Sequence, residues 1–201
     1  MARSVKPRNS SKKRKSPTKS TEVLSLNRQY LFEYGVNFKE RIITISEEIG
    51  EGSFDLVDAA LQEMESLNKK PITIRIKSPG GSVYEAIAIV GRIKSSPCPI
   101  ITEGYGMVMS AATMLLSAGT KRRVSRYTWF MHHESAYSVG GRHSEVKAYV
   151  AQAEREEQVW AVWMAELTKK NARFWASKGI HTDAYFTAEQ LVELGVADEV
   201  F

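Results

Sequence analysis

Three residues, in the chain order Ser110, His133 and Asp183, stand in local contexts that each suit one part of a hydrolytic relay. Ser110 closes the glycine-bearing run Gly104-Tyr-Gly-Met-Val-Met-Ser110 and leads into the apolar stretch Ala111-Ala-Thr-Met-Leu-Leu116. His133 ends the hydrophobic run Tyr127-Thr-Trp-Phe-Met-His-His133. Asp183 precedes Tyr185-Phe-Thr-Ala-Glu-Gln-Leu-Val-Glu-Leu-Gly195, which reads as a helix start. A serine hydroxyl becomes a competent nucleophile only when a nearby imidazole takes its proton. The imidazole in turn needs a carboxylate to fix its tautomer and stabilise its cation. The oxyanion that forms needs two pre-aimed N–H donors. At a helix start the amides of Ser110 and Ala111 lack intrahelical partners. Gly81, in the turn Ser78-Pro-Gly-Gly81 after a strand, has no Cβ to keep its amide away from a substrate carbonyl. Taken singly, each residue also fits a plainer role: an N-cap serine, a hydrogen-bonded core histidine, a turn aspartate. The relay therefore rests on the three together.

Other chemistries find less support. His132-His133-Glu134 lacks the two-histidine i, i+4 spacing of a zinc site, and Cys98 is the only cysteine. Ser78-Pro-Gly-Gly81 is too short for a Walker loop, and no G-x-x-x-x-G-K-[ST] occurs. No metal, no cofactor and no ATP use by this chain are expected.

The elements that must position these residues alternate in type. Arg41-Ile-Ile-Thr-Ile-Ser46 is β-branched and reads as a buried strand. Ser53 is a helix N-cap candidate, followed by Val57, Ala60, Leu61, Met64 and Leu67 at helical spacing. Ile72-Thr-Ile-Arg-Ile76 alternates as a second strand, and residues 83–94 read as a helix. Residues 100–102 read as a short strand, 110–118 as a helix, and Arg123-Val-Ser and Tyr127 to His132 as further strands. This alternation predicts an α/β fold of parallel βαβ units. A long polar helix is predicted over about residues 143–170, with an apolar stripe through Val146, Tyr149, Val150, Ala153, Trp160, Trp163, Met164 and Leu167. A stripe at this spacing is usually one face packed on the core, and, as a second reading, a helix of that length in a small domain suits packing on a second copy.

Composition bounds the rest. The 201 residues are 43% apolar and 25% charged, which fits one globular domain with a sizeable core. No run approaches a membrane span, no signal-peptide core opens the chain, and no intrachain disulfide is possible with one cysteine, so a cytoplasmic location is expected. The net charge of +5 is uneven: residues 1–20 hold eight Lys/Arg and no acid, which leaves 20 of the 28 bases against all 23 acids. Residues 1–22 are expected to be a disordered basic tail, and 23–201 the folded domain. Lys12-Lys-Arg-Lys15 is a weak nucleic-acid contact candidate.

The segments Lys39-Glu-Arg-Ile-Ile43, Ile76-Lys-Ser-Pro-Gly-Gly-Ser-Val83, Gly106 to Gly119, Phe130-Met-His-His133, Asp183-Ala-Tyr-Phe-Thr-Ala-Glu189 and Glu193-Leu-Gly-Val-Ala-Asp198 together resemble the proteolytic subunit of the Clp protease (ClpP) family, over about residues 24–201. The resemblance implies a crotonase-like spiral of βαβ units with a projecting long helix. It implies a self-compartmentalised serine peptidase of stacked rings that cleaves unfolded polypeptides and is fed by an AAA+ unfoldase. It places the nucleophile at Ser110, favours His133 over His132 through a Met-x-His pattern, and gives the acid as Asp183. It pairs the amides of Gly81 and Ala111 as oxyanion donors. Substrate is then expected to lie extended along Ser78 to Val83, with Ser78, Gly80, Ser82 and Val83 in contact. Four positions depart from the family pattern: Ala112 for a glycine, Lys77 for an asparagine, Thr182 for a basic residue, and no proline after His133. These departures motivate a second expectation, a non-catalytic ClpP-like subunit of a mixed ring. A crotonase-type acyl-CoA enzyme is a third.

Overall fold

The isoleucine-rich runs form the parallel strands that their alternation predicts. The computed structural model describes residues 19–201, with side chains from residue 27 onward. In β3 (Ile72–Ser78), Ile72, Ile74 and Ile76 are all fully buried, while Arg75 and Lys77 between them face solvent. β2 (Ile42–Ile45) pairs with β3 in parallel, and β3 pairs in parallel with β4 (Ile100–Met109). The crossovers are helical: α2 (Ser53–Leu67) joins β2 to β3, and α3 (Val83–Ser95) joins β3 to β4. Each lays its apolar stripe on the sheet, α2 through Val57, Leu61 and Met64 and α3 through Ala86, Ile89 and Ile93.

β4 is ten residues long, not the three that the local pattern suggests. Its first half pairs in parallel with β5 (Lys121–Val124) and its second half in parallel with β6 (Trp129–His132). β4 thus serves two neighbours on one edge and carries the chain directly to Ser110. Between β4 and β5, α4 (Ala112–Ser117) is buried along its whole length. β8 (Glu199–Val200) extends the sheet beyond β5, in parallel. Two pairings are antiparallel, β1 (Val36–Asn37) with β2 and β7 (Ala184–Phe186) with β6. The result is the mixed α/β fold with a mostly parallel sheet expected from the alternation of elements.

α5 (His143–Leu167) is the predicted long helix. Its buried residues, Ala161 and Met164, lie only in its last third. That end is held firmly. The Arg122 guanidinium donates to the carbonyls of Leu167 at 2.7 Å and Gly195 at 2.6 Å, and pairs with Asp198 at 2.5 Å. These bonds satisfy carbonyls that a helix end leaves unpaired, and place a cation where the helix dipole favours one.

Two helices escape the local patterns. α1 (Lys19–Tyr34) takes in residues 19–22, the last four of the stretch read as tail; residues 1–18 lie outside the described residues. Val23, Leu26, Tyr30 and Tyr34 recur at helical spacing there. α6 (Ala172–Ser177) follows α5 after a short turn and is capped by the Asn171 side chain, which accepts from the Phe174 amide. The helix expected just after Asp183 begins later: β7 intervenes, and Thr187 caps α7 (Ala188–Leu194).

Candidate active site

Parallel order brings three carboxyl ends together. β3, β4 and β6 lie side by side with the same direction. The residues that follow their ends, Gly81, Ser110 and His133, therefore meet at one edge, where α/β sheets hold their ligands. All three line one cavity of about 280 Å³.

Ser110 sits in a strained turn between β4 and α4. Its φ is 51°, in the left-handed region that costs a side-chain-bearing residue about 1–3 kcal/mol. Its own N–H donates to the Met131 carbonyl at 2.8 Å, and its carbonyl accepts from the Thr113 amide at 3.0 Å and the Thr113 hydroxyl at 2.6 Å. The serine amide has no intrahelical partner but is engaged with β6, and so is not available to an oxyanion. The Ala111 N–H, by contrast, meets no protein acceptor among the described residues.

The glycine turn closes on this elbow. Gly80 has φ 100°, and a Cβ there would lie 2.6 Å from Ser110 Cβ and 2.9 Å from the Ala111 nitrogen. Only glycine permits that approach. Ile49 pairs with the neighbours of Gly81: its N–H donates to the Gly80 carbonyl and its carbonyl accepts from the Ser82 N–H, each at 2.7 Å. Groups along an extended segment alternate in direction. Gly81 is exposed, and its N–H has no protein acceptor among the described residues. Two unpaired amides, those of Gly81 and Ala111, thus border the cavity that holds the Ser110 hydroxyl.

The same alternation redirects the expected substrate contacts. Val83 lines the cavity, but Ser78, Gly80 and Ser82 do not. Ser78 is fully buried and donates to the Glu47 carbonyl at 2.7 Å. Ser82 caps α3 by accepting from the Glu85 amide. These residues build the turn and do not line the cavity.

His133 Nε2 lies 2.7 Å from Ser110 Oγ. The preceding histidine has a different place: His132 is buried, its Nε2 lies 3.2 Å from the Trp175 carbonyl, and its ring meets Trp175 edge-on. Burial holds the His132 imidazole below its ordinary value of 6.5, against the Trp175 hydrogen bond. Gly179 passes so close to His133 that a Cβ would lie 2.4 Å from the His133 Cα. Sequence reasoning missed Gly179 and Trp175; the only local signal was a glycine in Ser177-Lys-Gly-Ile180.

Asp183 arrives by register. β6 and β7 pair His132 with Ala184, the last pair of the ladder, and His133 and Asp183 are the residues next to that pair. The Asp183 side chain is exposed, and its carboxylate makes no hydrogen bond to the imidazole. The nucleophile–base pair is thus made, and the Asp183 carboxylate is not bonded to it.

The far wall of the cavity belongs to α5 and α6. Trp160, Ala161 and Trp175 supply apolar surface, and Glu156 and Glu157 supply carboxylates. None of these was identified as a site residue from sequence, because the α5 stripe reads as ordinary packing.

Residues 27–201 match the sequence model of the Clp protease family. The chain is similar to ATP-dependent Clp protease proteolytic subunit 2 of Corynebacterium efficiens, with 32% identity over 165 residues that cover 81% of this chain and 82% of that protein. It is 31% identical to proteolytic subunit 1 of Corynebacterium jeikeium, over 81% of this chain and 87% of that protein. It is 30% identical to proteolytic subunit 1 of Rhodococcus jostii, over 83% of this chain and 77% of that protein.

Proposed function

Because the chain belongs to the Clp protease family, we propose that it is a serine endopeptidase subunit that cleaves unfolded polypeptides through an acyl-enzyme on Ser110. The observation that carries this reading is the 2.7 Å contact between Ser110 Oγ and His133 Nε2, beside the unpaired amides of Gly81 and Ala111. Ser110 Oγ attacks the scissile carbonyl as His133 takes its proton. The two amides receive the oxyanion. The imidazolium then gives its proton to the leaving amine, and water, deprotonated by the same imidazole, releases the acyl group. Asp183 orients the imidazole by accepting from Nδ1 once its carboxylate turns to the ring. Substrate runs extended past Gly81, with one side chain entering the cavity between Trp160 and Trp175.

The proposal extends to assembly. The first half of α5 has no buried residue, which suits packing against another copy in stacked rings. The relatives above carry the name of proteolytic subunits of an ATP-dependent protease, and this chain has no Walker loop. A separate AAA+ unfoldase therefore supplies the ATP-driven step. No helix among the described residues is long and apolar enough to cross a membrane, and the working location is the cytoplasm.

One observation favours a second reading, a ring subunit without activity: the Asp183 carboxylate is not bonded to His133. Hydrolysis of an unfolded protein substrate by wild type, Ser110→Ala and Asp183→Asn separates the two. The peptidase reading expects turnover by wild type and none by Ser110→Ala. Equal background rates from all three preparations would establish the inactive subunit.

A further inference from the structure

Two adjacent glutamates on α5 reach opposite walls of the cleft. Neighbouring residues on a helix point about 100° apart, so a helix that crosses a cavity can hold both sides at once. Glu157 Oε1 accepts from the Ser135 backbone N–H at 3.0 Å. Ser135 is two residues beyond His133. Glu156 Oε1 accepts from the Tyr84 hydroxyl at 2.6 Å and from Gln152 Nε2 at 2.9 Å. Tyr84 is three residues beyond Gly81. Both glutamates line the cavity that holds Ser110 and His133.

The segment after His133 needs holding. Residues 134–141 form no helix or strand after β6 ends. The tethers near His133 are the Glu134 amide on the Gly179 carbonyl at 3.3 Å, the His181 amide on Glu134 at 3.3 Å, the Glu157 bond, and the Tyr137–Tyr149 ring contact at 5.3 Å. Two of these four come from α5. The Glu156 carboxylate is held by Tyr84 and Gln152, and that of Glu157 by the Ser135 amide. The C-terminal end of α5 is tied to Arg122 through the Leu167 carbonyl.

We propose that Glu157 and Glu156 are positioning residues, a clamp in which α5 holds the His133 segment through Ser135 and the Gly81 turn through Tyr84, setting the distance between base and oxyanion donors. The inference rests on the peptidase reading. Neither glutamate needs to touch the reacting atoms. Small misplacement of a base is costly to rate while leaving substrate binding largely intact.

The test uses the full chain, with native mass recorded for each variant. Peptide kinetics and the rate of fluorophosphonate labelling are measured for wild type, Glu157→Ala, Glu157→Gln, Ser135→Pro and the Glu157→Ala/Ser135→Pro double variant. Glu157→Ala is expected to lower kcat and the labelling rate about tenfold with KM changed less than about twofold. Glu157→Gln keeps an oxygen acceptor and restores most of the rate. Ser135→Pro removes the donor from the loop side and mimics Glu157→Ala, so the double variant is no worse than either single change. For the other arm, Tyr84→Phe and Glu156→Ala are expected to be equally non-additive in the labelling rate. Glu157→Ala at the wild-type rate overturns the clamp. So does Glu157→Gln falling as far as alanine, which would assign the carboxylate's charge to substrate recognition, and so does additivity in either pair. Wild type that does not label fails the peptidase reading itself and takes the clamp with it. Labelled wild type with indifferent Glu157 variants removes the clamp alone.

Discussion

At Ser110 the chain accepts a left-handed backbone because its neighbours leave no alternative. The Met131 carbonyl fixes its amide, Thr113 fixes its carbonyl, and Gly80 packs against its Cβ. Gly80→Ala therefore brings a methyl within 2.6 Å of Ser110 Cβ at a φ of 100°. It should destabilise the fold by about 2 kcal/mol or more, by strain and overpacking, and suppress nucleophile labelling; a urea melt and a probe assay read both. Asp183→Asn should cut turnover about 10³-fold or more if the carboxylate orients His133 in the working enzyme. Wild-type kcat in that variant would remove Asp183 from the relay. Much at this scale was legible in the sequence, because Ser110, Ala111, His133 and Gly81 each follow an apolar strand or open a helix. What was not legible depends on pairing across the sheet. The engagement of the Ser110 amide by Met131 and the inward turn of Ser78 follow from strand register and alternation, which no local window contains.

At the scale of elements, β3, β4 and β6 do the positioning, and the helices between and around them carry stability. Gly91 lies within α3, where an added Cβ meets nothing within 4 Å and φ is not positive. Gly91→Ala should stabilise the protein by about 0.5–1 kcal/mol through helix propensity, read as a higher urea midpoint with unchanged activity. Arg122→Ala should cost about 2–4 kcal/mol, because the carbonyls of Leu167 and Gly195 and the Asp198 carboxylate all lose a partner. The same melt measures it. The strong alternation of β3 and the stripes of α2 and α3 made those elements legible. The second half of β4 was hidden because Gly104 and Gly106 resemble a turn. α6 was hidden because its six residues are too short for a period to show.

At the scale of the whole molecule, pH and assembly are the informative variables. His132 is buried with its imidazole held below 6.5, so the folded state resists its protonation. A lowered pKa of this kind supports stability above the ordinary value and loses it as pH falls toward the folded one. The denaturation midpoint should therefore decline as pH drops from about 7.5 to 5, above the range in which carboxylates such as Asp198 begin to contribute. His132→Phe should lie lower throughout, because the Trp175 carbonyl loses its partner, but flatter across that window. An unchanged slope would remove His132 as its cause. The α/β alternation that sets the overall fold was legible throughout the body of the chain, whereas the antiparallel pairing that brings Ala184, next to Asp183, opposite His132 was not. The measurement that tests the central claim most directly is the intact mass of wild type and Ser110→Ala after a fluorophosphonate probe, with native mass on the same samples. The account predicts one adduct per wild-type chain within a ring and none on Ser110→Ala. An assembled wild-type ring without an adduct, or an adduct that survives Ser110→Ala, would contradict it.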